Sequence, residues 1–278
     1  MPVGEIILVS GKATSALGSI AKSSPSVMRF VKRAYYRITK GKVRIPIFGS
    51  GGVGKSTAAK IIAGSTPDNA YNSYTESIWT EQVPLNGDIP GELFVAPGQE
   101  VRIDRHWPDL FKTLSCGRAI GLINVVSYGY HSLEINSFKE SASWRDGMSI
   151  DDFRLQYTAD RRDLELKLLE EVVSGLAATT SHVWMVTIIN KQDLWYDIQE
   201  SVLSHYKSGN YAEKLARISS RLGSKNFQHE FIPTSLAISN LTTGSGEIIA
   251  KSTSGFDVNL RNKSLEDLSR KLNLLVSK

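Results

Sequence analysis

The amino-acid sequence predicts a doubly wound α/β domain, in which helices cover both faces of a mostly parallel, six-stranded sheet. Short apolar runs alternate along the chain with longer segments whose apolar residues recur at helical spacing. Runs of this kind are typical of parallel strands that are buried on both faces. In addition, a glycine-rich turn joins the first apolar run directly to a helical segment, an arrangement common in such folds.

Each element follows from its local pattern. Apolar runs between turn residues predict strands at 43–48, 78–85, 92–95, 118–127, 183–190 and 230–234. Helical spacing predicts helices at 55–63, 160–176, 199–222 and 264–276. The turn Asn86-Gly87-Asp88 indicates that the second and third strands form a hairpin.

Length and composition are those of a globular protein with one core. The 278 residues are long for one minimal domain and short for two, so we expect a single core with additions. Cys116 is the sole cysteine, which excludes an internal disulfide and fits a reducing cytoplasm. No run approaches the roughly 18 apolar residues of a membrane span, and the N-terminus lacks the order of a signal peptide.

Positive charge is concentrated near the N-terminus, and we interpret residues 1–42 as a basic arm that precedes a domain at 43–278. Up to Gly49 the chain contains nine Lys or Arg residues and one Glu, a net charge of +8, whereas the whole chain carries +5. The rest of the chain is therefore mildly acidic. A nucleic-acid-binding domain would be expected to have its own basic face, so we predict no nucleic-acid partner.

Residues 26–40 of the arm combine an apolar stripe with basic residues on other faces, which predicts an amphipathic helix. Three interpretations stay open: peripheral contact with an anionic membrane surface, docking onto a partner protein, or packing on its own domain. Residue 2 is Pro and residues 275–278 contain no cysteine, so no lipidation signal supports the first. We expect a cytoplasmic protein, with a peripheral position at the inner face of a membrane as the alternative.

A phosphate-binding loop is predicted at residues 49–57. Residues 49–56 match the pattern G-x-x-x-x-G-K-[ST], between a predicted strand and a predicted helix. Glycines let successive backbone N–H groups curl around phosphates, and the helix directs its positive dipole end at the same anion. Lys55 would neutralise phosphate charge, and the Ser56 hydroxyl would bind Mg²⁺.

A second motif indicates guanine rather than adenine. Asn190-Lys191-Gln192-Asp193 follows the strand at 183–190. The Asp193 carboxylate can accept hydrogen bonds from the guanine ring N–H and amino group, a donor pair that adenine lacks. Asn190 can brace the base and the phosphate loop, while the Lys191 stem lies over the ring.

With these two motifs, residues 43–234 and the last helix resemble the Ras-like small GTPases. The resemblance implies a P-loop GTPase fold and suggests where further motifs lie. Pro233-Thr234-Ser235-Leu236-Ala237 is similar to the family's final loop, in which Ser235 and Leu236 would contact the guanine oxygen. Thr75 stands where the family keeps its first switch threonine and would bind Mg²⁺, with Thr80 as the alternative.

The third motif of the family departs from its usual form. Residues 95–100 are Val-Ala-Pro-Gly-Gln-Glu, so Gly98 would donate its N–H to the γ-phosphate and Gln99 would orient the attacking water. Val95 stands where the family has an aspartate that holds a magnesium-bound water. This substitution bears on metal affinity and hydrolysis rate. A Pro-Gly-Gln motif is similar to that of bacterial MglA-like GTPases.

Two insertions enlarge the minimal family pattern, at about 128–157 and 240–262. The first is rich in aromatic residues, which predict either an exposed partner surface or a small packed subdomain. The second predicts a hairpin around Glu247-Ile248-Ile249-Ala250. The histidines His131, His182, His205 and His229 lack metal-ligand spacing, and we interpret them as structural or surface residues.

Together these patterns predict a GTP-binding protein that hydrolyses GTP slowly as a switch, with Mg²⁺ as cofactor and an effector or activator protein as partner. The predicted catalytic residues are Lys55 and Gln99, and the predicted metal ligands are Ser56 and Thr75. The predicted nucleotide-binding residues are Gly49, Ser50, Gly51, Gly52, Val53, Gly54, Lys55, Ser56, Thr57, Gly98, Asn190, Lys191, Asp193, Ser235 and Leu236. The alternatives are a pseudo-GTPase docking module and a membrane-associated targeting subunit similar to the signal-recognition-particle receptor's beta subunit. An ATP-using P-loop enzyme is a more distant alternative.

Overall fold

The computed structural model describes residues 43–67, 81–84, 91–98, 121–176 and 182–276. Its main sheet has six strands in the order β2-β3-β1-β4-β5-β6. β2 pairs with β3 in antiparallel fashion, and the other neighbours are parallel. The strands are β1 (Val43–Phe48), β2 (Glu81–Pro84), β3 (Gly91–Val95), β4 (Gly121–Val126), β5 (Val183–Ile189) and β6 (Phe227–Pro233). The predicted fold class and hairpin are thereby confirmed.

The helices in the described ranges cover both faces of this sheet. They are α1 (Lys55–Ile62), α2 (Ile150–Leu176), α3 (Gln192–Trp195), α4 (Gln199–Ser208), α5 (Asn210–Leu222) and α6 (Val258–Val276). Apolar side chains of α2, α4 and α5 pack in one core cluster with β4 and β5. Those of α1 and α6 pack in a second cluster on the opposite face. None of the helices in these ranges combines the length and hydropathy needed to cross a bilayer.

The single helix predicted at 199–222 is wrong, because the structure divides this segment into α4 and α5 at Gly209. The Gly209 backbone is extended, with φ −97° and ψ −164°. A Cβ there would lie 2.7 Å from the His205 carbonyl oxygen, closer than real side chains approach. Glycine alone therefore allows this close return of the chain between the two helices.

Two helices begin earlier than predicted, and each start has a capping side chain. α2 begins at 150 rather than 160, after Ser149, whose hydroxyl accepts from the Asp152 N–H and donates to the Asp152 carboxylate. α6 begins at 258 rather than 264, and the Asp257 carboxylate accepts from the Leu260 N–H at 2.8 Å. These bonds satisfy N–H groups that helices leave without partners at their first turn.

The two insertions pack against each other as a third apolar cluster. In the second, β7 (Leu241–Thr242) and β8 (Ile248–Ala250) form the expected hairpin. The aromatic rings of the first contact one another, with centroids 5.2 Å apart for Phe138 and Trp144 and 5.6 Å apart for Phe153 and Tyr157. All of these rings are buried or half-buried, and Phe153, Leu241 and Ile249 are members of the same cluster. Of the two alternatives for this segment, the packed subdomain is the one that forms.

A buried polar network ties three strands to α5. The Tyr211 hydroxyl lies 2.5 Å from the Asn124 amide nitrogen and 3.1 Å from the Thr187 hydroxyl. Thr187 in turn lies 2.9 Å from Nε2 of His229. Burial lowers the pKa of His229 to about 4. Between about pH 4 and 6.5, His229 is therefore neutral in the folded protein, whereas in the unfolded chain it would be protonated.

The first prediction concerns stability at low pH. Because the folded pKa of His229 lies below the ordinary value near 6.5, the unfolded chain binds a proton that the folded one excludes. The contribution of neutral His229 to the free energy of unfolding is fully present above about pH 6.5. This contribution is lost as pH drops towards 4, by roughly 3 kcal/mol in total. Urea unfolding at pH 7 and pH 4.5 measures this loss, and His229→Gln should reduce it. The exposed His182 is the matched control; equal losses in His229→Gln and His182→Gln would contradict the assignment.

Candidate nucleotide site

The loop between β1 and α1 has a backbone that only glycine adopts readily. Gly49, Gly52 and Gly54 have φ values of 137°, 74° and 98°. A Cβ on Gly52 would lie 2.6 Å from the Ser132 amide nitrogen, and one on Gly54 would lie 2.6 Å from the Asn190 side chain. Residues 49–54 therefore combine left-handed backbone conformations with close contacts to neighbouring segments. A loop whose amides enclose an anion needs both features.

Lys55 lies at the start of α1 with its ammonium group inside the site. Its side chain is buried, and Nζ donates to the Ser50 carbonyl oxygen at 2.8 Å. Burial lowers the pKa of Lys55 to about 7. Phosphate oxygens beside the ammonium would raise that pKa again, because an adjacent negative charge favours the protonated form. The buried cation is thus suited to an anionic ligand.

The loop after β3 closes onto the phosphate loop. The Gly51 N–H donates to the Gly98 carbonyl oxygen at 2.8 Å. A Cβ on Gly98 would collide with Nζ of Lys55 and with the Gly49 carbonyl oxygen. Gly98 therefore lies against the phosphate loop, where the predicted contact with a γ-phosphate requires it to be. Gln99, the predicted water-orienting residue, lies outside the described residues.

Asn190, at the end of β5, joins the phosphate loop to the loop after β6. Its side-chain nitrogen donates to the Val53 carbonyl oxygen at 2.7 Å. Its side-chain oxygen accepts from the Leu236 N–H at 3.1 Å. The next residue, Lys191, has a left-handed backbone with φ 59°, and Nζ donates to the Ser132 hydroxyl at 3.1 Å. The geometry agrees with a bracing role for Asn190.

Asp193 is held with both carboxylate oxygens bonded. One accepts from the Ser235 hydroxyl at 2.6 Å and the other from the Ser239 N–H at 3.0 Å. Burial raises the pKa of Asp193, and these hydrogen bonds act in the opposite direction. A carboxylate oxygen has more than one lone pair, so these two bonds leave acceptor capacity for a ligand.

One cavity of about 520 Å³ connects these segments. Its size is within the range of small-molecule and cofactor sites. The predicted site residues that line it are Gly51, Gly52, Gly54, Lys55, Ser56, Thr57, Gly98, Asn190, Lys191 and Leu236. Asp193 and Ser235 are not among the lining residues; they lie fully buried next to them. The structure thus brings the two separate motifs to one cavity.

Two parts of the lining were missed by the sequence reasoning. Residues 132–134 and 239–243 also face the cavity. They are held together because the Gly244 N–H donates to the Ile135 carbonyl oxygen at 2.8 Å, and the Glu247 carboxylate accepts from the Phe138 N–H at 3.1 Å. No local motif marks these residues, since they reach the site only through contacts between the two insertions.

The described residues fit a magnesium ion only in part. Ser56 lines the cavity and offers one hydroxyl oxygen. Val95 is completely buried in the second core cluster and offers none, while Thr75 and Thr80 lie outside the described residues. Within the described ranges there is no group of three or more His, Cys, Asp or Glu side chains that could hold a metal ion. Phosphate oxygens and water would have to supply most of the six oxygen ligands typical of Mg²⁺.

Comparison with known proteins yields likenesses in structure but none in sequence. No protein-family model matches the chain, and no curated protein matches it by sequence. It is similar to a chain of the signal recognition particle receptor SRb-GTP/SRX complex of Chaetomium thermophilum, with 14% identity and a TM-score of 0.43 over 70% of this chain and 91% of that one.

Two further solved structures share 14% identity with this chain. One is an ADP-ribosylation-factor-like GTP-binding protein, the small COPII coat GTPase SAR1 of Encephalitozoon cuniculi in complex with GDP, with a TM-score of 0.32 over 95% of this chain and 97% of that one. The other is Roco2 RocCORdC of Methanosarcina barkeri bound to GDP, with a TM-score of 0.37 over 85% of this chain and 49% of that one. These values assign the chain to no family and no activity. The similarity of its third motif to MglA-like GTPases stays a prediction.

Proposed function

We propose that the chain binds GTP and GDP in this cavity and hydrolyses GTP slowly, as a switch that acts through another protein. The observation that carries the proposal is the double hydrogen bond of Asn190. This one side chain links Val53 of the phosphate loop to Leu236 of the final loop. The predicted phosphate-binding loop and the predicted base-binding loop are thereby linked beside one cavity.

At the phosphate end, the residues of the loop would act mainly by charge and position. Lys55 would neutralise β- and γ-phosphate oxygens, and backbone N–H groups of the loop would donate to them. Bound Mg²⁺, held by Ser56 and Thr75, would offset negative charge on the phosphates. Gln99 would orient the attacking water, and Gly98 would donate its N–H to the γ-phosphate. A partner protein would supply further stimulation in the form of an inserted arginine.

At the base end, Asp193 would select guanine. Its carboxylate would accept from the ring N–H and the amino group, while the Lys191 stem covers the ring. Ser235 already orients the carboxylate by a hydrogen bond of 2.6 Å. The buried position of Asp193 supports the proposal, because an unmatched carboxylate facing adenine in such a place is strongly unfavourable.

The second prediction tests guanine recognition. Calorimetry should show binding of GDP and of a non-hydrolysable GTP analogue in the presence of magnesium, with ATP binding weaker by about 100-fold or more. Asp193→Asn should abolish this preference, because an amide cannot accept two hydrogen bonds from the same donor pair. Asp197→Asn, an exposed aspartate in the same turn region, is the matched control and should keep it. Equal affinity of the unaltered chain for ADP and GDP would refute guanine selection.

A second candidate function, a pseudo-GTPase that docks partners and scarcely hydrolyses GTP, is favoured by Val95. This residue pairs with Ile47 and Glu81 in the sheet and is fully buried. An aliphatic side chain there provides no oxygen to hold a magnesium-bound water. Binding of GTP would then persist while the rate of hydrolysis falls.

The third prediction separates these two functions. Single-turnover release of phosphate from GTP should be slow but measurable with magnesium and lost with a chelator. Gln99→Ala should slow it by roughly tenfold or more while GTP affinity changes little, because a water-orienting group acts mainly in the transition state. Gln156→Ala, an exposed glutamine of α2, serves as control. No release of phosphate would favour the pseudo-GTPase, whereas release that Gln99→Ala leaves unaltered would contradict the role of Gln99.

For the arm at 1–42, which lies outside the described residues, we propose peripheral contact with an anionic membrane. The supporting observation is the net charge of residues 1–42, which is +7 from eight Lys or Arg and one Glu, in a chain of +5. Basic residues near an anionic surface contribute about 1 kcal/mol each.

The fourth prediction is that the full chain floats with liposomes containing phosphatidylserine, whereas a chain that begins at Lys42 stays behind. Neutral liposomes should bind neither form. Salt at about 0.5 M should release the full chain from the anionic liposomes, because it screens the attraction between their charges and those of the arm. Flotation of both forms to the same extent would exclude the arm as the membrane-binding element.

A further inference from the structure

The segment after β4 has a strained turn beside the phosphate loop. Tyr128 and Gly129 follow one another with φ values of 54° and 81°. A residue with a side chain, such as Tyr128, rarely adopts this conformation and does so at a cost in free energy. A Cβ on Gly129 would collide with the Thr158 carbonyl oxygen of α2. Such a turn persists only where surrounding contacts hold it.

The Glu165 carboxylate of α2 supplies those contacts. One of its oxygens accepts from the Ser127 N–H at 2.9 Å and from the Gly129 N–H at 3.3 Å. The other accepts from the Tyr206 hydroxyl at 2.7 Å. Burial raises the pKa of Glu165, but hydrogen bonds led by that from His131 outweigh it, and the pKa lies below its usual value. The carboxylate is therefore ionised and can only accept.

His131 connects this carboxylate to the phosphate loop. Nε2 lies 2.9 Å from Oε1 of Glu165. The Ser50 hydroxyl lies 3.1 Å from the same Nε2 and 3.3 Å from Nδ1. Since the carboxylate can only accept, we assign the ring hydrogen to Nε2, where it points to Glu165. A protonated Nε2 has no lone pair, so Nδ1, at 3.3 Å, is the ring nitrogen that can accept from the Ser50 hydroxyl. All three side chains are almost completely buried.

Ser50 is the one side chain by which the start of the phosphate loop can be held. Its neighbours Gly49, Gly51 and Gly52 have none. The Ser50 carbonyl oxygen accepts from Nζ of Lys55, so the orientation of this residue also sets the position of the cation. Ser50 is fully buried, and its hydroxyl lies against the His131 ring.

We propose that His131, oriented by Glu165, is a positioning residue that holds the phosphate loop in its anion-binding shape through the Ser50 hydroxyl. This inference rests on the proposed function. The left-handed turn at 128–129 places the histidine, the carboxylate fixes its tautomer, and the tautomer makes Nδ1 an acceptor for Ser50. Loss of the Ser50 contact lets the loop relax and weakens binding of the nucleotide phosphates.

The test compares two serine-to-alanine changes, each of which removes one buried hydroxyl. Ser50→Ala should weaken GDP affinity by about threefold to tenfold, the range expected for one hydrogen bond, and raise the GDP dissociation rate accordingly. Ser143→Ala is the matched control, because its hydroxyl donates to Asp160 on α2 and does not contact the phosphate loop. Ser143→Ala should change GDP affinity by less than about twofold, while it lowers the melting temperature about as much as Ser50→Ala does.

A double-mutant cycle with His131→Gln separates positioning from a general loss of stability. Adding Ser50→Ala to His131→Gln should weaken GDP binding little further, since both act through the same contact. The inference would be overturned if Ser50→Ala bound GDP as tightly as the unaltered chain. It would also be overturned if the double variant lost GDP affinity by the product of the two single losses. If His131→Gln does not fold, the comparison of the two serine variants alone decides. Absence of GDP binding by the unaltered chain would instead overturn the proposed function.

Discussion

The candidate site depends on one constraint, which is that a loop able to enclose phosphates with its amides has almost no side chains with which to hold its own shape. Gly49, Gly52 and Gly54 have left-handed backbones, and glycine loses more conformational entropy on ordering than any other residue. The loop must therefore be held from outside. Other parts of the chain provide this support by hydrogen bonds to the loop's polar groups.

Within the described residues, three segments contact the loop. The Gly98 carbonyl oxygen accepts from Gly51, and the Asn190 side chain donates to Val53. From the segment after β4, the Ser132 N–H donates to the Gly52 carbonyl oxygen and His131 contacts Ser50. These segments follow β3, β4 and β5, so the parallel strands carry them to the same edge of the sheet as the loop after β1. This is where open α/β sheets place their ligands.

Local patterns made the mostly parallel sheet, the β2–β3 hairpin and the glycine-rich turn between β1 and α1 predictable, whereas other parts of the fold had no local signal that could be interpreted correctly. The early start of α2 was readable in Ser149-x-x-Asp152, a capping pattern that lay inside a segment interpreted as an insertion. The break at Gly209 was hidden because helical spacing continues on both sides of it. The cavity walls at 132–134 and 239–243 could not be predicted, since contacts distant in sequence place them there.

Val95 shows how a residue that fits the fold can also bear on the proposed chemistry. The residue lies at the end of β3, in a cluster with Ile47, Leu93 and Val125. A carboxylate among these side chains would need a cation or hydrogen-bond donors to offset its desolvation. Valine removes that requirement and stabilises the core. At the proposed site, valine would leave magnesium to be held by hydroxyls and by the nucleotide, so metal and nucleotide would bind together rather than independently.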